Sequence, residues 1–246
     1  MLWDVDGTLL HAGGVGTDLY NVVFLQLFGR SLEAFAPMAG RTDRAIILET
    51  LELAGVPEPR RHVDPFIAEL TAQAPSVREA VAIRGHALPG AAAVLQALAD
   101  LGSGPPPGAS ADAGPGTLGL RVHQSVLTGN IRPVAEVKLS AVGLREPLDL
   151  CIGAYGDDHE VRTELVQVAR RRAAAVHGTS SGDFGGMSTI LIGDTPLDIE
   201  AALAAGARAV GVATGPSQAA DLLAAGAHAV LPDLTDTRQV LRALLH

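Results

Sequence analysis

Short runs of apolar, largely β-branched residues alternate along the chain with longer stretches in which apolar residues recur every three or four positions. The short runs are "LWDV", "VHQSVLT", "LDLCIG", "STILIGD", "RAVGVAT" and "HAVLP". Runs of this length and composition predict buried strands. Between them, "GAAAVLQALADL", "HEVRTELVQVARRRAAAV" and "IEAALAAG" carry the spacing of helices that lay one face on a core. Strand and helix in alternation predict an α/β fold, a parallel sheet covered by helices.

One segment breaks the alternation. From Val15 to Arg84 the pattern is helical throughout, as in "DLYNVVFLQLF", "DRAIILETLELAG", "PFIAEL" and "SVREAVAI". Some 70 residues of helix form a domain-sized insertion, so the expected division is a core of residues 1–14 and 85–246 and an all-helical unit of residues 15–84. Gly13, Gly14 and Gly16 at its start suit either a hinge or an ordinary loop. A second interruption, "GSGPPPGASADAGPGTLG" at 102–119, is too rich in Pro, Gly, Ala and Ser to offset its ordering entropy, and is expected to be a flexible loop within the core.

Composition narrows the function classes. A net charge of −9 over 246 residues opposes binding to nucleic acid or an anionic membrane, so a small anionic substrate needs a local cation. A single cysteine, Cys151 in the apolar run "LDLCIG", excludes an intrachain disulfide and is expected to be a core thiol. With no secretory pattern at the start and no apolar run of about 20 residues, the expected location is the cytoplasm.

In open α/β sheets ligands bind beyond the carboxyl ends of the strands. That rule places Asp4 and Asp6, Thr128, Gly129 and Asn130, and Gly193 and Asp194 on one rim. Asp4 and Asp6 lie two positions apart and share one side of an extended chain, so their like charges need a partner unless both are solvated in a turn. A hard divalent cation meets that need, with Asp194 as a third anionic ligand; Mg2+ takes one or two carboxylates together with water and phosphate oxygens. Thr128, Gly129 and Asn130 either form a plain strand exit or offer donors to a phosphoryl oxygen. In "GDTPLD", Thr195 suits an N-cap and Pro196 the first helical position. Asp198 suits the first turn, with a further role in the metal's water shell open to it. The cation for phosphate is expected to be Arg162, with Lys138 second. Arg170, Arg171 and Arg172 read as a solvated helix face, and His11 as a polar loop residue.

"DVDGT", "SVLTGN" and "GDTPLD", in this order and spanning nearly the whole chain, resemble the first, second and fourth motifs of the haloacid dehalogenase-like (HAD) hydrolases. The helical insertion resembles the cap placed after the first strand in small-molecule phosphatases similar to phosphoglycolate phosphatase and β-phosphoglucomutase. The resemblance implies a Rossmann-like three-layer core, Mg2+ dependence and an aspartyl-phosphate intermediate. It implies Asp4 as nucleophile and metal ligand, and Asp6 as general acid and base whose backbone carbonyl also binds the metal. Thr128 and Arg162 would hold the phosphoryl oxygens, with Asp194 and Asp198 completing the metal site. Three features depart from the family pattern, one being the Pro/Gly-rich stretch at 102–119 that enlarges the connection before the second motif. The third-motif cation is Arg162 where lysine is usual, and only three residues precede Asp4, so the first strand is shortened or the natural chain starts earlier.

The expected function is therefore a Mg2+-dependent phosphatase acting on a small phosphorylated metabolite. A phosphomutase of the same superfamily and a catalytically silent phosphate-binding protein remain as alternatives. "GRTDR", Gly40 to Arg44, is either a substrate contact in the cap or a helix start capped by Thr42 or Asp43.

Overall fold

Trp3 is fully buried at the centre of the molecule, on a strand only two residues long. The structure, a computed structural model, describes residues 1–102 and 121–246. The loop expected at 102–119 lies outside the described residues except for Gly102.

Strands β1 (Leu2–Trp3), β4 (Ser125–Val126), β5 (Ile190–Gly193), β6 (Arg208–Val212) and β7 (Ala229–Leu231) form a parallel sheet in the order β4-β1-β5-β6-β7. The other two strands, β2 (Leu10–His11) and β3 (His86–Ala87), pair antiparallel in a separate ribbon. Alternate residues of the large sheet enter two different cores. Trp3, Ile190, Ile192, Val210 and Val212 face helices α5 (Ala91–Gly102) and α10 (Thr237–Leu245). Leu2, Leu191 and Ala209 face α7 (Arg162–His177), α8 (Pro196–Ala204) and α9 (Ala219–Ala224). Burial on both faces is why these strands read as unbroken apolar runs. The Rossmann-like three-layer core is thus present. The chain runs from β1 out to β4 and returns past β1 to β5, so the switch point of the sheet lies at the carboxyl end of β1.

Residues 15–84 hold helices α1 (Val15–Phe28), α2 (Asp43–Leu53), α3 (Arg60–Gln73) and α4 (Arg78–Arg84). They enclose a separate apolar cluster that includes Tyr20, Phe24, Ile47, Leu51 and Phe66. Helix α6 (Arg132–Ala141) belongs to both assemblies: Val134 packs into the helical cluster, while Ala135 and Leu139 pack into the sheet core. The β2–β3 ribbon ties together the two chain crossings between these assemblies, with Leu10 opposite Ala87 and His11 opposite His86. Two-residue strands fall below any hydrophobic period, so the sequence pattern did not announce them. Among the described residues no helix is long and apolar enough to cross a membrane.

Three expectations are corrected. "LDLCIG" is not a strand; it turns after Leu148, with Cys151 N–H donating to Asp149 Oδ1 at 3.0 Å, and the chain meets the sheet only at an isolated Leu127–Ala154 bridge. Leu148, Leu150 and Ile152 point inward, and Cys151 between them is exposed rather than a core thiol. The arginine tract is not a uniformly solvated face. Arg170 is buried, donating to Thr189 Oγ1 and to the carbonyls of Ala205 and Gly186, and Arg172 forms a two-pronged pair with Asp158 at 2.6 and 2.7 Å. Successive helical positions point about 100° apart, so the three side chains meet different surroundings.

With β1 so short, the sheet's centre depends on Trp3, whose Nε1 donates to Gln124 Oε1 at 3.3 Å. Trp3→Ala is expected to cost about 3–5 kcal/mol in urea unfolding. Trp3→Phe retains most of the packing, strands the Gln124 carbonyl, and is expected to cost about 1–3 kcal/mol.

Candidate functional site

The carboxyl ends of β1, β4 and β5 open on a cavity of about 500 Å3, lined by Asp4, Asp6, Thr128, Asn130, Arg162 and Asp194 and closed on its other side by residues of the helical segment. Asp4 leaves β1 with its N–H bonded to Ile192 O at 2.8 Å and its side chain 6 % exposed. Asp194 leaves β5, and its Oδ1 accepts from Thr8 Oγ1 at 3.0 Å. Asp198 sits in the first turn of α8 in a capping box: its Oδ2 accepts from Thr195 N–H at 3.1 Å and from Thr195 Oγ1 at 2.6 Å, while its N–H points back to Thr195 Oγ1. The turn after β1 needs Gly7, at φ +84°, where a Cβ would come within 2.4 Å of Asp194 Oδ2.

Carboxylate oxygens of Asp4, Asp194 and Asp198 all lie within 4.8 Å of one another. Burial, and after it the charge of Asp198, push the carboxyls of Asp4 and Asp194 above the ordinary range. Arg162, at the start of α7, offsets part of this. Its Nη2 donates to Asp4 Oδ1 at 2.8 Å, and its Nε donates to Asp198 Oδ1 at 3.0 Å. Burial opposes its charge, yet Asp198 and Asp4 outweigh that and hold the guanidinium protonated. Both oxygens of Asp198 are therefore engaged. Asp4 Oδ2 and Asp194 Oδ2 are the oxygens not bonded by another described side chain, and both residues line the cavity. That donor set, hard oxygens with an excess of negative charge, fits a hard divalent cation.

Asp6 has different partners. Its Oδ2 accepts from Lys138 Nζ and from Asn130 Nδ2, each at 2.7 Å, and Lys138 Nζ also donates to Asn130 Oδ1 at 2.7 Å. Asn130 Nδ2 reaches Thr128 Oγ1 at 2.8 Å. Asp4, Asp6, Thr128, Asn130, Lys138, Arg162 and Asp194 thus border one cavity, and Asp198 stands directly behind it. The two candidate cations separate: Arg162 meets Asp4 and Asp198, and Lys138 meets Asp6 and Asn130.

Gly40–Arg44 interlocks the helical segment with this rim. Thr42 caps α2, accepting from Ala45 N–H, and its hydroxyl donates to Glu160 O at 2.6 Å. Asp43 N–H donates to Gly129 O at 2.7 Å, and Arg44 Nε to Asp157 O at 3.0 Å. Gly129 allows this approach, since a Cβ there would lie 1.8 Å from Arg41 O. The Asp43 carboxylate accepts from Ile131 N–H and Tyr20 Oη, both at 2.7 Å. Sequence reading passed over Thr8, Tyr20 and Thr214, whose hydroxyl donates to Gly7 O at 2.6 Å. Thr214 follows the end of β6, so the strand-end rule applied to "RAVGVAT" points to it. Tyr20 carried no signal outside its helical stripe.

A family model described as HAD-hydrolase-like matches residues 165–237, under a third of the chain. Solved structures extend the likeness to nearly its full length. A hydrolase from Pseudomonas syringae is 18 % identical with a TM-score of 0.64, covering 98 % of this chain and 96 % of its own. A predicted phosphatase from Clostridium acetobutylicum is 18 % identical with a TM-score of 0.63, covering 98 % and 97 %. The fold is that of the HAD-like hydrolases. CbbY from Rhodobacter sphaeroides in complex with phosphate shares this HAD-like fold at 19 % identity and a TM-score of 0.62, covering 96 % and 94 %. No curated protein matches the sequence.

The Asp43 carboxyl generates a pH prediction. Burial raises it from 3.8 to about 6, despite the donors Tyr20 and Ile131. Folding therefore takes up a proton between those values, and stability present below pH 4 is lost as pH rises through about 6. Asp43→Asn cannot lose a proton there. Its stability relative to the wild type is expected to improve by up to about 3 kcal/mol between pH 4 and 7, read as paired unfolding curves. A difference independent of pH would show an ordinary carboxyl.

Proposed function

We propose that the protein is a Mg2+-dependent phosphatase that hydrolyses a small-molecule phosphomonoester through an aspartyl-phosphate on Asp4. The observation that carries the reading is the contrast between two aspartates two positions apart. Asp4 is buried against Arg162 with one oxygen open beside Asp194, while Asp6 is turned to Lys138 and Asn130 across the same cavity.

In this reading one carboxylate oxygen of Asp4 bonds to phosphorus as the bond from phosphorus to the substrate alcohol breaks, while the other would face the metal. Asp6 gives its proton to the departing oxygen, then takes one from the water that attacks the phosphoenzyme and releases phosphate, restoring Asp4. Lys138 and Asn130 fix Asp6 through Oδ2, leaving Oδ1 for proton transfer. Arg162, with the hydroxyl of Thr128 and the backbone of Gly129, holds the phosphoryl oxygens. Asp4, Asp194 and the Asp6 backbone carbonyl would hold the metal, with Asp198 behind them fixing Arg162 and Thr195. When bound, Mg2+ supplies positive charge that offsets these carboxylates and the phosphoryl oxygens. Residues 15–84 act as a cap that excludes bulk water, seated by the Gly40–Arg44 interlock.

Two measurements test this. Wild-type protein with Mg2+ is expected to release phosphate from p-nitrophenyl phosphate into water, with no need of a second alcohol as phosphate acceptor. Chelation or Asp4→Asn is expected to reduce release to background; turnover that survives both would overturn the reading. Lys138→Met loosens Asp6 without touching Asp4. It is expected to slow alkyl phosphates by about 10²–10⁴-fold, the range of general acid catalysis, and to slow p-nitrophenyl phosphate far less, because nitrophenolate leaves without a proton. Equal losses on both substrates would remove Lys138 from this role.

A further inference from the structure

We infer that the alcohol released from the substrate is uncharged and mainly apolar, an alkyl or aryl alcohol rather than a hydroxy acid, a sugar or a second phosphate carrier; this rests on the phosphatase reading above. The inference comes from the apolar part of the cavity lining. There the helical segment and its neighbours present Leu19, Met38, Ile46, Leu70 and Leu88, together with the ring of Tyr20.

A carboxylate or second phosphate on the leaving group would need a cation at that end. Among the described residues, the arginine and lysine side chains lining the cavity are Arg41, Lys138 and Arg162. Lys138 and Arg162 lie at the reaction end, nearly buried against Asp6 and against Asp4 and Asp198. Arg41 is held by Glu49, Nη2 to Oε2 at 2.6 Å, and donates from Nη1 to Pro37 O at 3.1 Å.

A sugar or other polyol would need several free polar groups. The inner candidates are already satisfied by one another: Tyr20 Oη donates to Asp43 Oδ1, and Asp43 Oδ2 accepts from Ile131 N–H. Tyr20 therefore offers its ring rather than its hydroxyl. His11 and Thr17, both exposed, stand at the rim, where His11 stacks on His86 and its Nδ1 accepts from Gly13 N–H. Hydroxyls buried deeper would go unpaired, whereas a hydrocarbon or aromatic group gains contact with every wall.

The test uses the full chain with Mg2+ and compares kcat/KM for butyl phosphate and benzyl phosphate with that for phosphoglycolate, glycerol 3-phosphate and glucose 6-phosphate. In parallel, calorimetry compares binding of the inert butylphosphonate and phosphonoacetate. The neutral apolar members are expected to lead by at least about tenfold in both measurements. If esters turn over but the carboxylate or polyol members equal or exceed the alkyl ones, the ligand class is overturned and the phosphatase reading stands. If no ester turns over while butylphosphonate binds in preference, the catalytic reading fails and the ligand class stands. If neither phosphonate binds and no ester turns over, both fall.

Discussion

A guanidinium enclosed between two aspartates is the constraint on which this molecule's rim depends. Asp4, Asp194 and Asp198 come from opposite ends of the chain and converge within 4.8 Å of one another, most of them out of reach of water. Three such charges would repel one another strongly in a poorly polarisable interior. Arg162 bridges Asp4 and Asp198, offsetting part of this charge and leaving an open oxygen of Asp4 beside Asp194. The remaining excess of negative charge is what makes the place receptive to a cation. The same bridge joins the first strand to helices α7 and α8.

The helical segment meets this rim through backbone hydrogen bonds together with the side chains of Thr42, Asp43 and Arg44. Residues 40–44 lie against Gly129 and Gly156 with main-chain hydrogen bonds, and the buried Asp43 carboxylate completes the contact by accepting from Ile131 N–H at the start of α6. Helix α6 in turn packs into both apolar clusters and carries Lys138 to Asp6. One helix therefore links the seating of the helical segment to Asp6.

Most of the sheet was readable from apolar runs because its central strands are buried on both faces, and the strand-end rule then placed the acids and Thr128 on one rim without knowledge of their contacts. The reading failed where a pattern had two physical solutions. "LDLCIG" alternates like a strand, but the alternation is equally met by a turn that tucks in Leu148, Leu150 and Ile152. Arg170 lies in a basic tract that looks solvated, yet carbonyls at the end of α8 and before β5 give its guanidinium partners that only tertiary structure creates. The separation of Arg162 from Lys138 was likewise hidden. Their places differ through which end of a helix each occupies, the first turn of α7 and the last of α6, not through spacing from any motif.

Arginine at position 162 explains how the carboxylates share their work. A lysine ammonium is a point charge that can move between acceptors, but the guanidinium fork directs fixed donors along fixed lines. Here Nε is committed to Asp198 and Nη2 reaches Asp4, so Asp198 Oδ1 is occupied for as long as the fork stays in place. Its other oxygen is already claimed by Thr195 in the α8 cap. Asp198 thus acts as the anchor of the cation, and the oxygens still open are those of Asp4 and Asp194. The geometry that fixes the arginine also decides which acids remain free, and a chain with lysine at this position would not be bound to the same division.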